Sequence, residues 1–339
     1  MKVALCFIIS YDNQLNKEKI WRDWIQPNKD IINVYFHYKK NVPIKSEWIK
    51  KHALPANFLV ETDYLHIAPA YITLMMHALK HDTKNQWFSF LTESCVPIIS
   101  PLRFRELFFE SYQYSFMAWK NAWWNTNLVK RANLRYLEPK YHLANTPWFI
   151  LNRDDALRCI KYVKKNRDIY NLICIGDVAN ESLFSIMLEA QNSLKFVKNE
   201  DIMATDWNRM VSSTSPYLFK DGGYKDKKFI EAYLTDHKYT MFLRKVDKTF
   251  PDKELTYFIG RDNDNIEQLI KRKHRVFWLE KKWQILKYYY YFYYFIRRGG
   301  VLGVIAVFML GFVIWQNNLT FPSITTINAC NERGHWFIC

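Results

Sequence analysis

Short apolar runs and helically spaced apolar positions alternate over the first 190 residues or so of the chain. Val3–Ile9 is apolar throughout, which predicts a strand buried on both faces. Leu15–Ile25 places Ile20, Trp21, Trp24 and Ile25 on one face of a helix. Ile31–Phe36 reads as a strand, and Ser46 caps a short helix reaching Lys51. Pro69–Leu79 has proline in a first helical turn followed by apolar spacings of three and four. Strands are predicted at Trp87–Leu91, Phe116–Trp119, Trp148–Leu151 and Leu172–Ile175. Helices are predicted at Pro101–Phe109, from Asp154 and Asp155 through Val163, and over Asn180–Ala190. This alternation predicts an α/β fold with a mostly parallel sheet sandwiched by helices. Ligands of such sheets sit at the carboxyl ends of the strands. Residues 206–260 carry polar turns at Ser212–Pro216 and Asp221–Gly223, and are expected to be less regular and to close over the sheet edge.

The C-terminal third changes character. Gly299–Trp315 is 17 consecutive uncharged residues, preceded by the aromatic run Tyr288–Ile296 and by Arg297 and Arg298. At about 1.5 Å per residue such a run is close to the thickness of a bilayer core, and its flanks resemble an interfacial belt. The alternative is a buried core helix followed by a last strand. A poly-tyrosine run beside a charge-free helix fits a soluble core poorly, so a transmembrane helix over residues 299–316 is expected. The resulting scheme is a catalytic domain at 1–260, a basic and aromatic juxtamembrane segment at 261–298, the span, and a short tail at 317–339. The positive-inside rule puts the catalytic domain in the cytosol, with a single pass near the C-terminus. The N-terminal apolar run is too short to span and lacks a cleavage pattern, so ordinary secretion is not expected.

The formal charge of the 339-residue chain is +15, and residues 271–298 hold nine Lys/Arg against one acid. More than half of the excess is therefore local. It suits a membrane lipid surface and argues against a nucleic-acid partner bound across the whole domain. Cys6, Cys95, Cys159 and Cys174 lie in apolar or semi-apolar runs and are expected to be buried thiols, whereas Cys330 and Cys339 sit in the tail. No GxGxxG, P-loop, GxSxG or HExxH motif is present, which removes the main signals for dinucleotide, NTPase, hydrolase and zincin chemistry. Asp262-Asn263-Asp264 has the form of a metal-binding DxD, but its polar surroundings read as a solvated linker.

Sugar transfer from a nucleotide sugar remains natural for such a sheet. Without a metal, fixed cations must meet the charge on the departing diphosphate, and a carboxylate must take the proton of the acceptor hydroxyl. Ala179-Asn180-Glu181-Ser182 opens a helix, and Met241-Phe242-Leu243-Arg244-Lys245 puts two cations after an apolar run. Glu93 and Ser94 follow a strand end, where either a donor site or a structural turn would lie. His37 either touches a nucleobase or simply finishes its strand. Trp123 and Trp124 either stack on an acceptor sugar or form a core stripe. Arg131 and Arg135 read as helix-face cations.

Six segments, in order, resemble the core-2/I-branching glycosyltransferases (glycosyltransferase family 14). Phe90–Ile98, FLTESCVPI, is similar to the family's LLSESCIPL. Asn33–Lys39 resembles its early strand ending in histidine, and Trp148–Arg153, WFILNR, resembles WFVLSR. Asn180-Glu181 stands where the family has Asp-Glu, Thr205-Asp206-Trp207 resembles YVDW, and Leu243–Val246, LRKV, resembles FARKF. The blocks CFIISYD, ESCVPIISP and TSPYLF are most similar to the version carried by giant DNA viruses. The resemblance spans roughly residues 2–260. It implies a GT-A-like fold, a UDP-sugar donor (carrying GlcNAc or xylose), a glycan or glycoprotein acceptor, inversion, and no metal or other cofactor. It makes Glu181 the catalytic base. Arg244 and Lys245 become the diphosphate contacts, with His37, Glu93 and Ser94 on the donor side and Trp123, Trp124 and Trp148 on the acceptor side. The family's second, upstream cation has no assigned counterpart, Arg209 being a guess. A rival from another class is a catalytically inactive, membrane-bound glycan-binding or scaffold protein on the same fold, motivated by Asn180 and that missing cation.

Overall fold

The computed structural model describes residues 1–260 apart from 10, 11 and 213, all within one compact unit, Met1–Leu269. The basic stretch, the run at 299–316, Asp262–Asp264, Cys330 and Cys339 lie outside the described residues. Among the described residues no helix is long and apolar enough to cross a membrane.

The elements in chain order are β1 (Lys2–Ile8), α1 (Glu18–Ile25), β2 (Ile32–His37), α2 (Glu47–His52), α3 (Ala68–His81), β3 (Asn85–Thr92), β4 (Val96–Pro97) and α4 (Pro101–Ser111). There follow β5 (Trp119–Asn121), β6 (Leu143–Asn145), β7 (Ile150–Asn152), α5 (Arg153–Lys165), α6 (Arg167–Ile175) and α7 (Leu183–Glu189). The last are β8 (Met203–Thr205), α8 (Tyr224–Asp236), β9 (Phe242–Arg244) and α9 (Asp252–Ile259). The main sheet has the order β2-β1-β3-β7. The apolar run of β1 sits inside it, parallel to β2 and to β3, and its residues Val3–Ile8 are buried on both faces.

Register sorts the two faces. Phe7 pairs with Phe36 and with Leu91, and its ring meets Trp21 of α1, while Phe36 meets Trp48 of α2. Cys6 pairs with Tyr35 and Phe90 on the opposite face, where Tyr35 meets His77 and His81 of α3, and Phe90 meets Tyr71 of α3 and Phe184 of α7. Helices thus cover both faces, and each buried aromatic contributes about 1.5–3 kcal/mol. Helix α1 is tied down through its indoles: Trp21 donates to the Cys95 carbonyl (2.9 Å) and Trp24 to that of Ile99 (2.8 Å). Just before α1, the buried Lys17 ammonium donates to the Lys248 carbonyl (2.7 Å) and pairs with Asp252 (2.8 Å), anchoring the segment after β9.

Several expectations are corrected. The sheets are mixed: β7 runs antiparallel to β3, a second sheet of order β4-β9-β8 has one antiparallel and one parallel pairing, and β5 and β6 form an antiparallel pair. Leu172–Ile175 is the last turn of helix α6, ended by Gly176, and is not a strand. Residues 206–260 are more regular than their polar turns imply, since they carry α8, α9 and the central strand of the second sheet. The strand expected at Phe116–Trp119 starts later: Phe116 makes only isolated bridges, to Ile150 and Lys198. Other expectations stand. Ser46 caps α2 by accepting from the Ile49 N–H, and Cys6, Cys95, Cys159 and Cys174 are free thiols, the first three buried.

Candidate active site

The carboxyl end of β3 and the carboxyl end of β9 meet at one point. Beyond Thr92 the chain turns through Glu93-Ser94-Cys95, and the Val246 N–H donates to the Ser94 carbonyl (2.9 Å), fastening that turn to the strand end that bears Arg244 and Lys245. The Arg244 guanidinium donates to Ser94 Oγ (3.0 Å) and Thr92 Oγ1 (3.2 Å) and lies 4.6 Å above the Trp148 ring. Two hydroxyls and an aromatic face hold it, so among the described residues no carboxylate at hydrogen-bond distance cancels its charge. Lys245 is half-buried. Burial and the neighbouring Arg244 push its ammonium pKa down, and Glu93 pulls it back up.

Glu181 enters from another direction. It ends a single turn of 3-10 helix, Ala179–Glu181, immediately before α7. That turn follows Val178, which has a left-handed backbone (φ 45°) and donates its N–H to the Leu65 carbonyl (2.8 Å). The Glu181 carboxylate forms an ion pair with Arg131 and is 28% exposed. Burial raises its pKa above the ordinary carboxylate range, while Arg131, and then Arg244, pull it back down. Arg244 is therefore close enough for its charge to favour the ionised carboxylate. The buried Tyr71 hydroxyl also feels both charges. Arg244, stacked over Trp148, and the Glu181 carboxylate are thus linked through the reach of the guanidinium charge.

Arg131 was expected to be a helix-face cation; it lies instead in the loop between β5 and β6 and reaches Glu181. It packs 4.5 Å above the Trp124 ring and 5.7 Å from that of Trp123, with Lys120 on Trp123 at 4.2 Å. The tryptophan pair is thus linked to Glu181 through Arg131. Trp123 is 63% exposed, and the buried Trp124 Nε1 and Arg131 Nε have no partner among the described residues. Arg135 stays a surface cation, stacked on Tyr136.

Two other residues are placed away from this arrangement. His37 ends β2 and is buried; its Nε2 accepts from the Val60 N–H (3.2 Å), and burial pushes the imidazole pKa down to about 4, so it is neutral at neutral pH. Arg209 is not a free cation: it pairs with Asp206 (2.6 Å) and Asp226 (2.8 Å) and covers the Tyr217 ring, which is a structural duty. Lys220 carries no motif in the sequence, and the fold sets it near the strand end that bears Arg244. Backbone pairing of Phe219 with Lys245 (N–H to carbonyl, 2.9 Å) carries the exposed Lys220 alongside the Arg244-Lys245 strand end. Among the described residues no group of three or more His, Cys, Asp or Glu side chains converges as a metal site would require.

An α/β fold with a half-buried carboxylate and fixed cations beyond its strand ends has the residue types that group transfer uses. The profile of the core-2/I-branching enzymes matches residues 5–237, and the chain belongs to that glycosyltransferase family. No curated protein matches the chain significantly.

Proposed function

We propose that the chain moves a sugar from a UDP-sugar to a glycan hydroxyl with inversion, on a GT-A-like fold and without a metal. GlcNAc or xylose is the sugar by family analogy. Glu181 takes the proton of the acceptor hydroxyl as its oxygen attacks the anomeric carbon. The bond from that carbon to the diphosphate breaks, and the charge left on UDP is met by Arg244 and Lys245. Arg244 suits the role because its planar fork grips two oxygens at once, while Lys245 acts as a point charge. Lys220 is the candidate for the second, upstream cation.

What supports this reading is that Arg244 stands beyond the carboxyl end of β9, fastened to the turn after β3, with no carboxylate at hydrogen-bond distance among the described residues, and that its charge reaches Glu181, 63 residues away in sequence. Ser94 and Glu93 act on the donor side by orienting Arg244 and Lys245. His37, buried with its Nε2 taken by the Val60 N–H, finishes its strand and makes no donor contact in this reading. Trp148 supports Arg244, and the exposed Trp123, next to the Trp124 ring that carries Arg131, offers an aromatic face to the acceptor sugar. The run at 299–316 would hold the catalytic domain on the cytosolic face of a membrane, near anionic lipid and a membrane-assembled acceptor.

The test is UDP release by the full chain, in EDTA, with a panel of UDP-sugars and glycan acceptors. Turnover that survives chelation and disappears in Glu181→Gln supports the reading. Loss on chelation removes the metal-independent mechanism, and absence of both UDP binding and turnover turns the account toward a scaffold.

A further inference from the structure

Arg131 and Glu181 lie 50 residues apart, and the backbone is built to hold them together. The Ala132 N–H donates to the Asp177 carbonyl (2.9 Å), and the Asp177 N–H donates to that of Lys130 (3.1 Å). This bridge joins the loop bearing Arg131 to the loop that leads into Glu181. Ala132 and Asn133 turn through left-handed backbone (φ 50° and 52°), and the Asn133 side chain donates to the Leu172 carbonyl (2.8 Å), fixing the same loop to α6. The guanidinium is then clamped from its other side by the Trp124 face. A guanidinium held on two sides has little freedom to leave its carboxylate, and its Nη2 donates to Glu181 Oε2 and holds that oxygen in place.

We propose that Arg131 is the positioning residue of the base: clamped on Trp124, it aims the Glu181 carboxylate at the acceptor and keeps it ionised. The inference rests on the reading of Glu181 as the base. A carboxylate buried without a counter-charge would stay protonated and could not accept a proton. The groups that face Glu181 are Arg131 from the β5–β6 loop, Arg244 from β9 and the Tyr71 hydroxyl from α3, with the neutral Asn180 beside it. Arg244 is committed to the donor diphosphate, so once UDP is bound Arg131 is the cation left to hold the base. As Glu181 takes the acceptor proton it becomes neutral, and Arg131 then keeps a hydrogen bond to a carboxylic acid in place of the ion pair.

The test reads Glu181 directly. The full chain, labelled with 13C-glutamate, is titrated by NMR, and the Glu181 carboxyl resonance is identified by its loss in Glu181→Gln. Arg131→Met is expected to move its midpoint up by about one pH unit, as loss of an adjacent cation does. Arg131→Lys is expected to restore the midpoint but not the transfer rate, because it keeps the charge and loses the planar face that stacks on Trp124. Equal midpoints in wild type and Arg131→Met overturn the proposal. Should Arg131→Met fail to fold, Arg131→Gln replaces it, and a wild-type Glu181 found protonated at pH 7 overturns the proposal with no variant at all. The two claims fail separately. Glu181→Gln with full transfer removes the base and leaves the ion pair standing, whereas loss of transfer in Glu181→Gln with an unmoved midpoint removes only the role of Arg131.

Discussion

Gly176 is the residue on which the pairing of the two site loops turns, and its replacement by alanine has a calculable outcome. Its backbone (φ −75°, ψ 151°) is open to any amino acid. On conformational grounds alone, Gly176→Ala would stabilise by about 0.4–1 kcal/mol through the unfolded chain. Space reverses the sign. A Cβ there would lie 2.4 Å from the Asn133 nitrogen, 2.7 Å from the Ala132 carbonyl carbon and 2.8 Å from Ala132 Cα, where ordinary contacts are 3.4–4 Å. The overlap is about 1 Å, and the atoms met are backbone, so no side chain can rotate away. Overpacking of this kind costs about 1–3 kcal/mol, which exceeds the entropic gain. The loops must part, and Arg131 moves away from Glu181 with them. Denaturant unfolding and thermal melting of Gly176→Ala against wild type measure the first effect, at about 2–4 °C per kcal/mol for a domain of this size. UDP release measures the second. A variant as stable as wild type, or more stable, would refute the reasoning.

Three further outcomes are expected. Arg244→Met removes a charge-assisted contact to the diphosphate worth about 1.5–3 kcal/mol, so calorimetry should find UDP bound about 10- to 100-fold more weakly; an unchanged Kd contradicts the donor assignment. Asn180→Asp places a carboxylate at a buried position whose Oδ1 has no donor among the described residues. Its folded pKa is raised by burial, so the loss of stability should be full at neutral pH and shrink as the pH falls and the group protonates, read as a variant-minus-wild-type melting difference that narrows on acidification; a pH-independent difference contradicts it. The proposed transfer requires ionised Glu181, whose pKa burial raises despite its two cations. The kcat/KM profile should therefore fall on the acid side, at a pH above that of a solvated carboxylate, and a flat profile from about pH 4 to 8 would contradict the base.

What could be read from the chain depended on how local each signal was. The uninterrupted apolar run of β1, the proline and apolar spacing of α3, and the Ser46 cap of α2 each need only a few adjacent residues, and all three form as their patterns require. Leu172–Ile175 misled because a short apolar stretch is as compatible with the end of a helix as with a strand. Helix α8 was hidden among charges: its buried residues, Asp226, Ile230 and Leu234, recur every four positions but include only two apolar side chains. Strand β9 is three residues long and gains its identity from β4 and β8, far away in sequence. At the candidate site, Glu181, Arg244 and Lys245 draw attention in the sequence because they stand in family-like segments. The placement of Arg131 and Lys220 near them does not show there, because a long-range backbone bridge sets each, and neither carries a local motif.

The central claim is that one carboxylate receives the acceptor proton opposite cations that hold the nucleotide. It is tested most directly by comparing Glu181→Gln with wild type in two assays on the same full chain, UDP binding by calorimetry and UDP-sugar turnover. The account predicts UDP affinity close to that of wild type together with turnover lowered by about 100-fold or more. Turnover at the wild-type rate would contradict it.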